Sequence, residues 1–188
     1  MTFEQIEAEV AKRAASPRSN IGEHLPVLQA LARQCESIVE FGVENANSTW
    51  ALLSGRPKRL TSYDINPGIR SAGQVAAAAK SVGIDFKFIV GDSAEVEIEP
   101  ADMLFIDSYH VYDHLTKELN KHSPKIRKFI TMHDTSTFGT RGERWTKENP
   151  VVGLWPAVED FLAKGVWRVL ERRTNCCGLT TLERVVPL

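Results

Sequence analysis

The chain has 188 residues, of which 43% are hydrophobic and 25% are charged, and its formal net charge is -1 at pH 7. This length suits one globular domain with a substantial core and is short for two. Because the charge has no basic excess, binding of nucleic acid through phosphate neutralisation is not expected. No apolar run reaches the length of a membrane span, and the first residues do not follow the basic and then apolar pattern of a signal peptide.

The three cysteines are Cys35, Cys176 and Cys177. An odd number with two adjacent members does not indicate a disulfide framework, which favours a reducing compartment. We therefore expect a cytoplasmic protein without a membrane partner.

Two helices are predicted before the first strand. Apolar residues recur at helical spacing from Phe3 to Ala14, and a second periodic segment covers residues 22–35. Since both precede the sheet, we expect residues 1–36 to be a helical flank or lid over a ligand pocket. Residues 37–188 would form the Rossmann-like core of the same single domain. The two helices could also pack against a second copy of the chain, so that a homo-oligomer is compatible with the sequence.

From residue 37 onward, predicted strands alternate with predicted helices. Such alternation indicates parallel strands joined by helical crossovers, with helices on both faces of the sheet. The last two strands have no helix between them and are predicted to be an antiparallel hairpin. We therefore predict an α/β fold, a Rossmann-like doubly wound mixed sheet of about seven strands with two extra N-terminal helices. The predicted strands are residues 37–41, 59–63, 84–90, 102–106, 126–132, 166–172 and 178–184, and the later helices are residues 67–82, 111–121 and 154–164.

Acids follow four of the predicted parallel strands: Asp64, Asp92, Asp107 and Asp134. A single aspartate in such a place is commonly a helix cap or a turn residue. Parallel strands share a direction, however, so these four strand ends meet at one edge of the sheet, where open α/β sheets bind ligands. Together with Glu40 at the end of the first strand, the acids indicate a ligand-binding crevice.

Residues 37–67 form a β-α-β unit with a nucleotide-sized pocket at this edge. The helix that begins near Asn47 would direct unpaired backbone N–H groups towards the pocket. The turn after the first strand reads GVENAN and lacks the G-x-G-x-x-G fingerprint, which argues against a nicotinamide cofactor.

Six short motifs surround the predicted crevice: EFGV at residues 40–43, NST at 47–49, Asp64, GDS at 91–93, FIDSYH at 105–110 and HDT at 133–135. They resemble the motifs of class I S-adenosylmethionine-dependent methyltransferases. The group that they resemble most contains the cephalosporin hydroxylase-like and the rhamnosyl (macrolide-sugar) O-methyltransferases. One departure is Ala46, which stands where that family usually has a glycine and which tolerates positive φ poorly.

The resemblance implies that S-adenosyl-L-methionine is the cofactor. Gly42 would let the backbone approach its methionine part, and Glu40 would fix its amino group directly or through water. Ser48 would bind the carboxylate and Asp64 the ribose hydroxyls. The implied set is completed by Asp92 and Ser93 at the adenine edge, by Ile65 and by Asp107.

The resemblance also implies a divalent cation at Asp107, His133 and Asp134, with Asp107 and His110 as catalytic residues. In the sugar-modifying members, a histidine three residues after the first acid is the general base, and His110 has this position. The family usually has a carboxylate where this chain has His133. Oxygen ligands favour Mg²⁺, whereas an imidazole ligand suits Mn²⁺ or another transition metal better. A site in which His133 is not a ligand, or which needs no metal, also remains open.

The function implied is methyl transfer from S-adenosyl-L-methionine to a hydroxyl of a small molecule or sugar. Two alternatives remain: a non-catalytic module that binds this cofactor, and an enzyme of the same fold that uses it for another transfer. The second polar cluster argues against the binding module. The loop of residues 135–152 has no periodicity, and a loop of this length is expected to be functional or disordered. The remaining histidines, predicted at helix surfaces or helix ends, are His24, His114 and His122.

Overall fold

The computed structural model of the protein describes residues 1–17, 19–67 and 70–187. Its strands are β1 (Ser37–Phe41), β2 (Arg59–Asp64), β3 (Asp85–Val90), β4 (Ala101–Ile106), β5 (Ile126–His133), β6 (Trp167–Arg173) and β7 (Leu179–Arg184). Its α-helices are α1 (Phe3–Ala14), α2 (Leu25–Ala32), α3 (Asn47–Ser54), α4 (Arg70–Ser81), α5 (Tyr112–His122) and α6 (Leu154–Leu162). In this part of the chain, no helix has both the length and the apolar character needed to cross a membrane.

The strands form one sheet in the order β3-β2-β1-β4-β5-β7-β6. Strands β1 to β5 are parallel, and β7 pairs antiparallel with both β5 and β6. The prediction of a mixed sheet with an antiparallel last pair is therefore confirmed. The chain reverses its direction of travel across the sheet between β1 and β4, and their carboxyl ends open a crevice. At the carboxyl end of β1, Phe41 pairs with Tyr63 of β2 and with Ile106 of β4. The residues that follow these three strands therefore lie side by side.

Sequence composition explains the places of the strands. The central strands β1 and β4 are buried at every position, as continuous apolar runs in a parallel sheet should be. Strand β3, at one edge, alternates polar and apolar residues and is partly exposed. The crevice therefore lies above strands that are buried along their whole length.

Helices cover both faces of the sheet. One apolar cluster includes residues of α1, α2, α3 and α4, and α1 and α2 pack directly on α3. The other cluster includes residues of α5 and α6. The N-terminal helices therefore lie against the helix that follows β1, outside the sheet.

Two helix boundaries differ from the sequence-based expectation. The predicted helix at residues 22–35 begins with a 3₁₀ turn, Gly22–His24, and becomes α-helical only from Leu25, where Pro26 suits the first turn. Helix α4 is observed from Arg70, whereas part of the predicted start at residues 67–69 lies outside the described residues. At its end Gly83 has φ +75°, and Ile84 N donates to the Ala79 carbonyl at 3.0 Å, as expected for a glycine after a helix.

Candidate active site at the carboxyl edge of the sheet

Two adjoining cavities open at the carboxyl ends of β1, β2 and β4. The first cavity has a volume of about 340 Å³ and extends towards Asn20 and Ile21, which precede α2. The second cavity has a volume of about 420 Å³ and extends towards Ser93. Five residues line both cavities and are called the shared wall below. They are Gly42, Asp64, Asp107, Ser108 and Glu143.

Gly42 joins the ends of β1 and β4. Its φ is +82°, and a Cβ atom at this position would collide with the carbonyl group of Asp107. Gly42 N donates to the Tyr63 carbonyl at 2.9 Å, and Asp107 N donates to the Phe41 carbonyl at 2.8 Å. The sequence interpretation explained this glycine by the approach of a cofactor. In the structure, the close approach is between two turns of the protein itself.

Asp64, at the end of β2, binds the turn that follows β1. Its Oδ2 accepts hydrogen bonds from Val43 N at 2.8 Å and Glu44 N at 3.3 Å, and its Oδ1 accepts one from Asn66 N at 2.8 Å. Its carboxylate is part of the shared wall, where ribose binding was predicted. The same turn contains Ala46 at φ +59°, an unfavourable conformation for alanine. Its methyl group is fully buried in the core, which offsets part of this strain.

Glu40 is buried beside the first cavity and is not one of the described residues that line it. Its two carboxylate oxygens accept hydrogen bonds from Ser48 Oγ and Ser62 Oγ, each at 2.6 Å. Burial raises the pKa of Glu40 to about 7, although both serine hydroxyls act in the opposite direction. Ser48 lines the cavity at the start of α3 and so connects Glu40 to it.

The second cavity contains the residues predicted at the adenine edge. Asp92 and Ser93 line it together with Ile65, whose surface is 74% exposed. His114 Nε2 lies 3.0 Å from Ser93 Oγ and 3.3 Å from the buried carboxylate of Glu118. The hydrogen bond with Glu118 raises the pKa of His114. This histidine stands at the start of α5, as expected, but it belongs to the cavity wall and not to a solvated surface.

Asp107, His110 and Asp134 converge on the first cavity. One candidate ligand atom from each lies within 4.8 Å of the others. His110 Nε2 is 3.2 Å from Asp107 Oδ1 and 3.2 Å from Asp134 Oδ2. Burial alone would raise the pKa of Asp107, but hydrogen bonds with His110 and His133 hold it at about 2. Burial opposes protonation of His110, yet the neighbouring carboxylates raise its pKa.

His133 lies behind this cluster. Its Nδ1 is 3.4 Å from Asp107 Oδ1 and 3.7 Å from Asp134 Oδ1, and its Nε2 is 3.2 Å from the Cys176 carbonyl oxygen. Because a carbonyl oxygen only accepts, Nε2 carries a proton in this contact, and Nδ1 faces the acids. His24 packs edge-on against His133 with a centroid distance of 5.5 Å. His24 lies at the end of the 3₁₀ turn, which agrees with a predicted helix end, but it is fully buried and is not on a helix surface.

The two acids of this cluster fit a divalent cation. Asp134 Oδ1 is buried and has no hydrogen-bond partner among the described residues. Burial raises the pKa of Asp134, as expected for an incompletely paired carboxylate. A buried carboxylate oxygen of this kind, beside a second carboxylate, is a donor set for Mg²⁺ or Mn²⁺. The structure places His110 in the same group, whereas the predicted third ligand, His133, faces the acids from behind.

Two side chains of the loop at residues 135–152 complete the site without any sequence pattern that indicates them. Glu143 Oε2 lies 3.2 Å from His110 Nδ1, although the two residues are 33 positions apart. The ring of Phe138 stacks on that of His110 with a centroid distance of 4.8 Å and an interplanar angle of 15°. The predicted functional loop therefore surrounds the histidine on two sides.

Comparisons with known proteins identify similar structures. No protein-family model and no curated protein sequence matches this chain. A putative caffeoyl-CoA O-methyltransferase from Staphylococcus aureus is 16% identical with a TM-score of 0.65, covering 98% of this chain and 92% of that chain. An O-methyltransferase from Bacillus cereus in complex with SAH is 15% identical with a TM-score of 0.64, covering 97% and 90%. The N-methyltransferase NodS from Bradyrhizobium japonicum WM9, in complex with S-adenosyl-L-homocysteine (SAH), is 13% identical with a TM-score of 0.64, covering 98% of both chains.

At these identities the comparison establishes the fold. The chain has the Rossmann-like fold of class I methyltransferases, as the motifs around the crevice predicted. Both O- and N-methyltransferases share this fold, so the fold alone does not identify a reaction.

Proposed function

We propose that the protein is an S-adenosylmethionine-dependent O-methyltransferase that acts on a hydroxyl of a small molecule or sugar. The observation that carries this proposal is the shared wall, in which one set of residues faces both a nucleotide-sized crevice and the acid–histidine cluster. Asp107 belongs both to the shared wall and to the acid–histidine cluster. Solved structures of the same fold with SAH bound support the choice of cofactor.

The cofactor would extend from the second cavity across the shared wall to Ser48, which lines the first cavity. When bound, S-adenosyl-L-methionine supplies a methyl group on a positively charged sulfur, which leaves as a neutral thioether once the acceptor oxygen has taken the methyl group. Ser48 and the first N–H groups of α3 would bind its carboxylate. Asp64 would accept hydrogen bonds from the ribose hydroxyls. The residues expected at the adenine are Ile65, Asp92 and Ser93.

Asp107 and Asp134 would hold a divalent cation. Their carboxylate oxygens favour Mg²⁺, and a contribution from His133 Nδ1 would shift the preference towards Mn²⁺. A cation at this position would lower the pKa of the acceptor hydroxyl. The structural observation that supports this assignment is that the buried Asp134 Oδ1 accepts no hydrogen bond from the described residues.

His110 would accept the hydroxyl proton on Nε2. A general base must come within hydrogen-bond reach of the proton that it removes, and His110 lines the first cavity beside both acids. Asp107 and Asp134 would stabilise the imidazolium formed by proton transfer, because each places a carboxylate oxygen 3.2 Å from Nε2. The proton would then pass to water through the open side of the cavity.

The acceptor would be neutral or cationic. Five carboxylates line the first cavity, and their negative potential would repel an anionic acceptor such as a coenzyme A thioester. A neutral sugar or another small polyhydroxy compound meets no such repulsion and offers the hydroxyl that the cluster requires. The five acids are Glu44, Asp64, Asp107, Asp134 and Glu143.

Calorimetric titration with S-adenosyl-L-methionine and with S-adenosylhomocysteine tests the cofactor assignment directly. We expect both to bind, and a folded protein that binds neither would refute the proposal. An assay with labelled cofactor and a panel of neutral sugars, polyols and catechols then tests catalysis. Binding without transfer to any acceptor would favour the non-catalytic module, and transfer of a group other than methyl would favour the other chemistry.

The variant His110→Ala tests the proton acceptor. We expect turnover to fall by roughly 10²- to 10⁴-fold while affinity for the cofactor and the cation stays nearly unchanged. If cation affinity falls together with turnover, His110 is a metal ligand and not the base. Removal of metal with a chelator should abolish turnover, and added Mg²⁺ should restore it.

A further inference from the structure

We infer that Arg13, in the last turn of α1, is a positioning residue that holds the turn after β1 (residues 42–46) in the shape that receives the methionine part of the cofactor. This inference rests on the proposed function, since it concerns how one part of the proposed cofactor site is held. It gives α1, which the sequence predicts only as part of a flank or lid, a role in ligand binding.

The turn after β1 needs support from its surroundings. Glu44 has φ +43° and Ala46 has φ +59°, and neither residue is a glycine. Residues with side chains rarely adopt this left-handed conformation, and they keep it only where neighbouring contacts fix them. Asp64 bonds to the first half of the turn through Val43 N and Glu44 N. The second half, around Ala46, is bonded by a different side chain.

Arg13 bonds to the residues on both sides of Ala46. Its Nη1 donates to the Asn45 carbonyl at 3.0 Å and to Asn47 Oδ1 at 2.9 Å, so one guanidinium nitrogen bridges the left-handed residue. Because a guanidinium has only donors, the amide oxygen of Asn47 must face Arg13, and the amide nitrogen is left for another partner. Asn47 also lines the first cavity, where a ligand carboxylate would be a suitable partner for that nitrogen.

Arg13 is itself held in place on α1. Its Nε donates to Glu9 Oε1 at 2.9 Å, one helical turn earlier, and its side chain is only 18% exposed. Its guanidinium carbon lies 5.5 Å from the centre of the Trp50 ring in α3. Ile6 and Val10 of the same helix are buried in the core, so α1 cannot shift without losing apolar contacts. The turn is therefore bonded to a side chain that has a fixed position.

The turn and the start of α3 separate two cavities. Asn45 and Asn47 line the first cavity and also a third cavity of about 320 Å³, which Arg13 lines as well. Arg13 is not among the described residues that line the first cavity, so it contacts the turn from behind. Ser48 also lines the first cavity, whereas no described residue from 43 to 48 lines the second, where the adenine is expected. A displaced turn should thus weaken contacts with the methionine part and spare those with the nucleoside.

Two ligands separate these contributions in calorimetric titrations. S-adenosylhomocysteine carries the amino-acid group of the cofactor, whereas methylthioadenosine has the same nucleoside and sulfur without that group. Arg13→Gln removes the guanidinium and keeps a helix-forming residue, and Arg13→Lys keeps the charge without the planar set of donors. Lys12→Gln is the matched control, because Lys12 lies 3.8 Å from the same Glu9 and its side chain is 80% exposed.

We expect Arg13→Gln to lower the affinity for S-adenosylhomocysteine by about 10-fold and that for methylthioadenosine by less than about two-fold. The loss should be smaller in Arg13→Lys and absent in Lys12→Gln. In the methyl-transfer assay, KM for S-adenosyl-L-methionine should rise, while kcat at saturating cofactor stays near that of the wild type. Amide hydrogen exchange of the free protein should be faster at Ala46 in Arg13→Gln, since Ala46 N donates to the Val43 carbonyl within the turn.

Equal losses of affinity for the two ligands would show that Arg13 supports the fold in general, and they would overturn the inference. Unchanged affinity for S-adenosylhomocysteine in Arg13→Gln would overturn it as well. If that variant does not fold, the affinities and the amide exchange of Arg13→Lys decide. Failure of the proposed function is seen in the wild-type protein itself. If it binds neither ligand, both proposals fall, and if it binds them without methyl transfer, the ratio of the two affinities still decides the role of Arg13.

Discussion

The crevice has a side that we propose for the cofactor and a side that we propose for the acceptor, called the cofactor side and the acceptor side below, and the two are built in different ways. The core of the cofactor side comes from one β-α-β unit, residues 37–67, and consists largely of backbone groups with single acids at strand ends. The acceptor side combines side chains from the ends of β4 and β5 and from the loop at residues 135–152 with a backbone carbonyl of the turn before β7. The first arrangement follows from local sequence, whereas the second exists only after distant segments have packed.

The hydrogen bonds reflect this difference. Asp64 binds backbone N–H groups 20 and 21 positions away, within the same unit. On the acceptor side, His110 meets Glu143 over 33 positions and His133 meets Cys176 over 43 positions. A change of one acceptor-side group should therefore remove chemistry and leave the cofactor crevice intact. A change on the cofactor side should weaken cofactor binding and leave the chemistry intact.

The largest effect is expected for Asp134→Asn. Asp134 has φ +58°, a conformation that asparagine also tolerates, so the backbone should be preserved. The substitution removes one of the two carboxylates that would hold the cation, and we expect turnover to fall by about 10³-fold. Calorimetry should show loss of Mg²⁺ binding and an unchanged affinity for S-adenosyl-L-methionine.

The control for this variant is Asp113→Asn, which changes an exposed acid in the first turn of α5. This control should leave turnover and Mg²⁺ binding unchanged. Retention of full turnover in Asp134→Asn would remove the cation from the proposed function. A parallel loss of cofactor affinity would instead show that the two sides of the crevice are not separable.

The cofactor side could be predicted from sequence because its determinants are contiguous. The apolar run of β1, the glycine after it and Asp64 after β2 are local signals, and the register of parallel strands brings them together. The acceptor side could be predicted only where a strand end carries the residue, as at Asp107 and Asp134. The resemblance implied His133 as the third ligand, whereas spatial proximity groups His110 with the acids.

No local pattern could have identified Glu143 or His24. Glu143 lies in an aperiodic loop, and its contact with His110 depends on that loop docking on the His110 backbone. His24 is fully buried and packs against His133, although the sequence predicts it at a helix surface or helix end. Such positions depend on tertiary packing, which overrides local propensity.

A second prediction is that Glu40 and Asp107 make the free energy of unfolding depend on pH in opposite directions. The pKa of Glu40 is raised from 4.5 to about 7 in the folded protein, so its protonated form is favoured by folding. Its contribution to the free energy of unfolding is therefore greatest below pH 4.5, declines as the pH rises to about 7 and is constant above that value. The pKa of Asp107 is lowered to about 2, so its contribution is present above pH 4 and is lost towards pH 2.

Glu40→Gln should remove the first of these dependences. Each serine hydroxyl can donate or accept, so the amide can replace the carboxylate between Ser48 and Ser62. The stability of the variant relative to the wild type should increase by roughly 3 kcal/mol between pH 4.5 and pH 8, as urea denaturation at a series of pH values would show. Parallel stability curves for the two proteins would mean that Glu40 ionises with an ordinary pKa.

Asp64→Asn should have a smaller effect, confined to the cofactor side. Loss of the charge weakens the expected hydrogen bonds with the ribose and those with the turn after β1, and we expect cofactor affinity to fall by about 10- to 100-fold. With saturating cofactor, kcat should stay close to that of the wild type. Asp85→Asn, at an exposed acid of β3, is the control. A large loss of kcat would place Asp64 in the chemistry and blur the distinction between the two sides.

The smallest effect is expected for Ala46→Gly, at the point where this chain departs from the family that it resembles. Glycine would relieve the left-handed conformation at φ +59°, which favours the variant by about 1 kcal/mol. The change also removes a fully buried methyl group from the core, which costs a similar amount. We therefore expect the free energy of unfolding to change by less than about 1 kcal/mol, measured by urea denaturation. A clear gain in stability would show that strain dominates at this turn, and a clear loss would show that Ala46 is retained for packing.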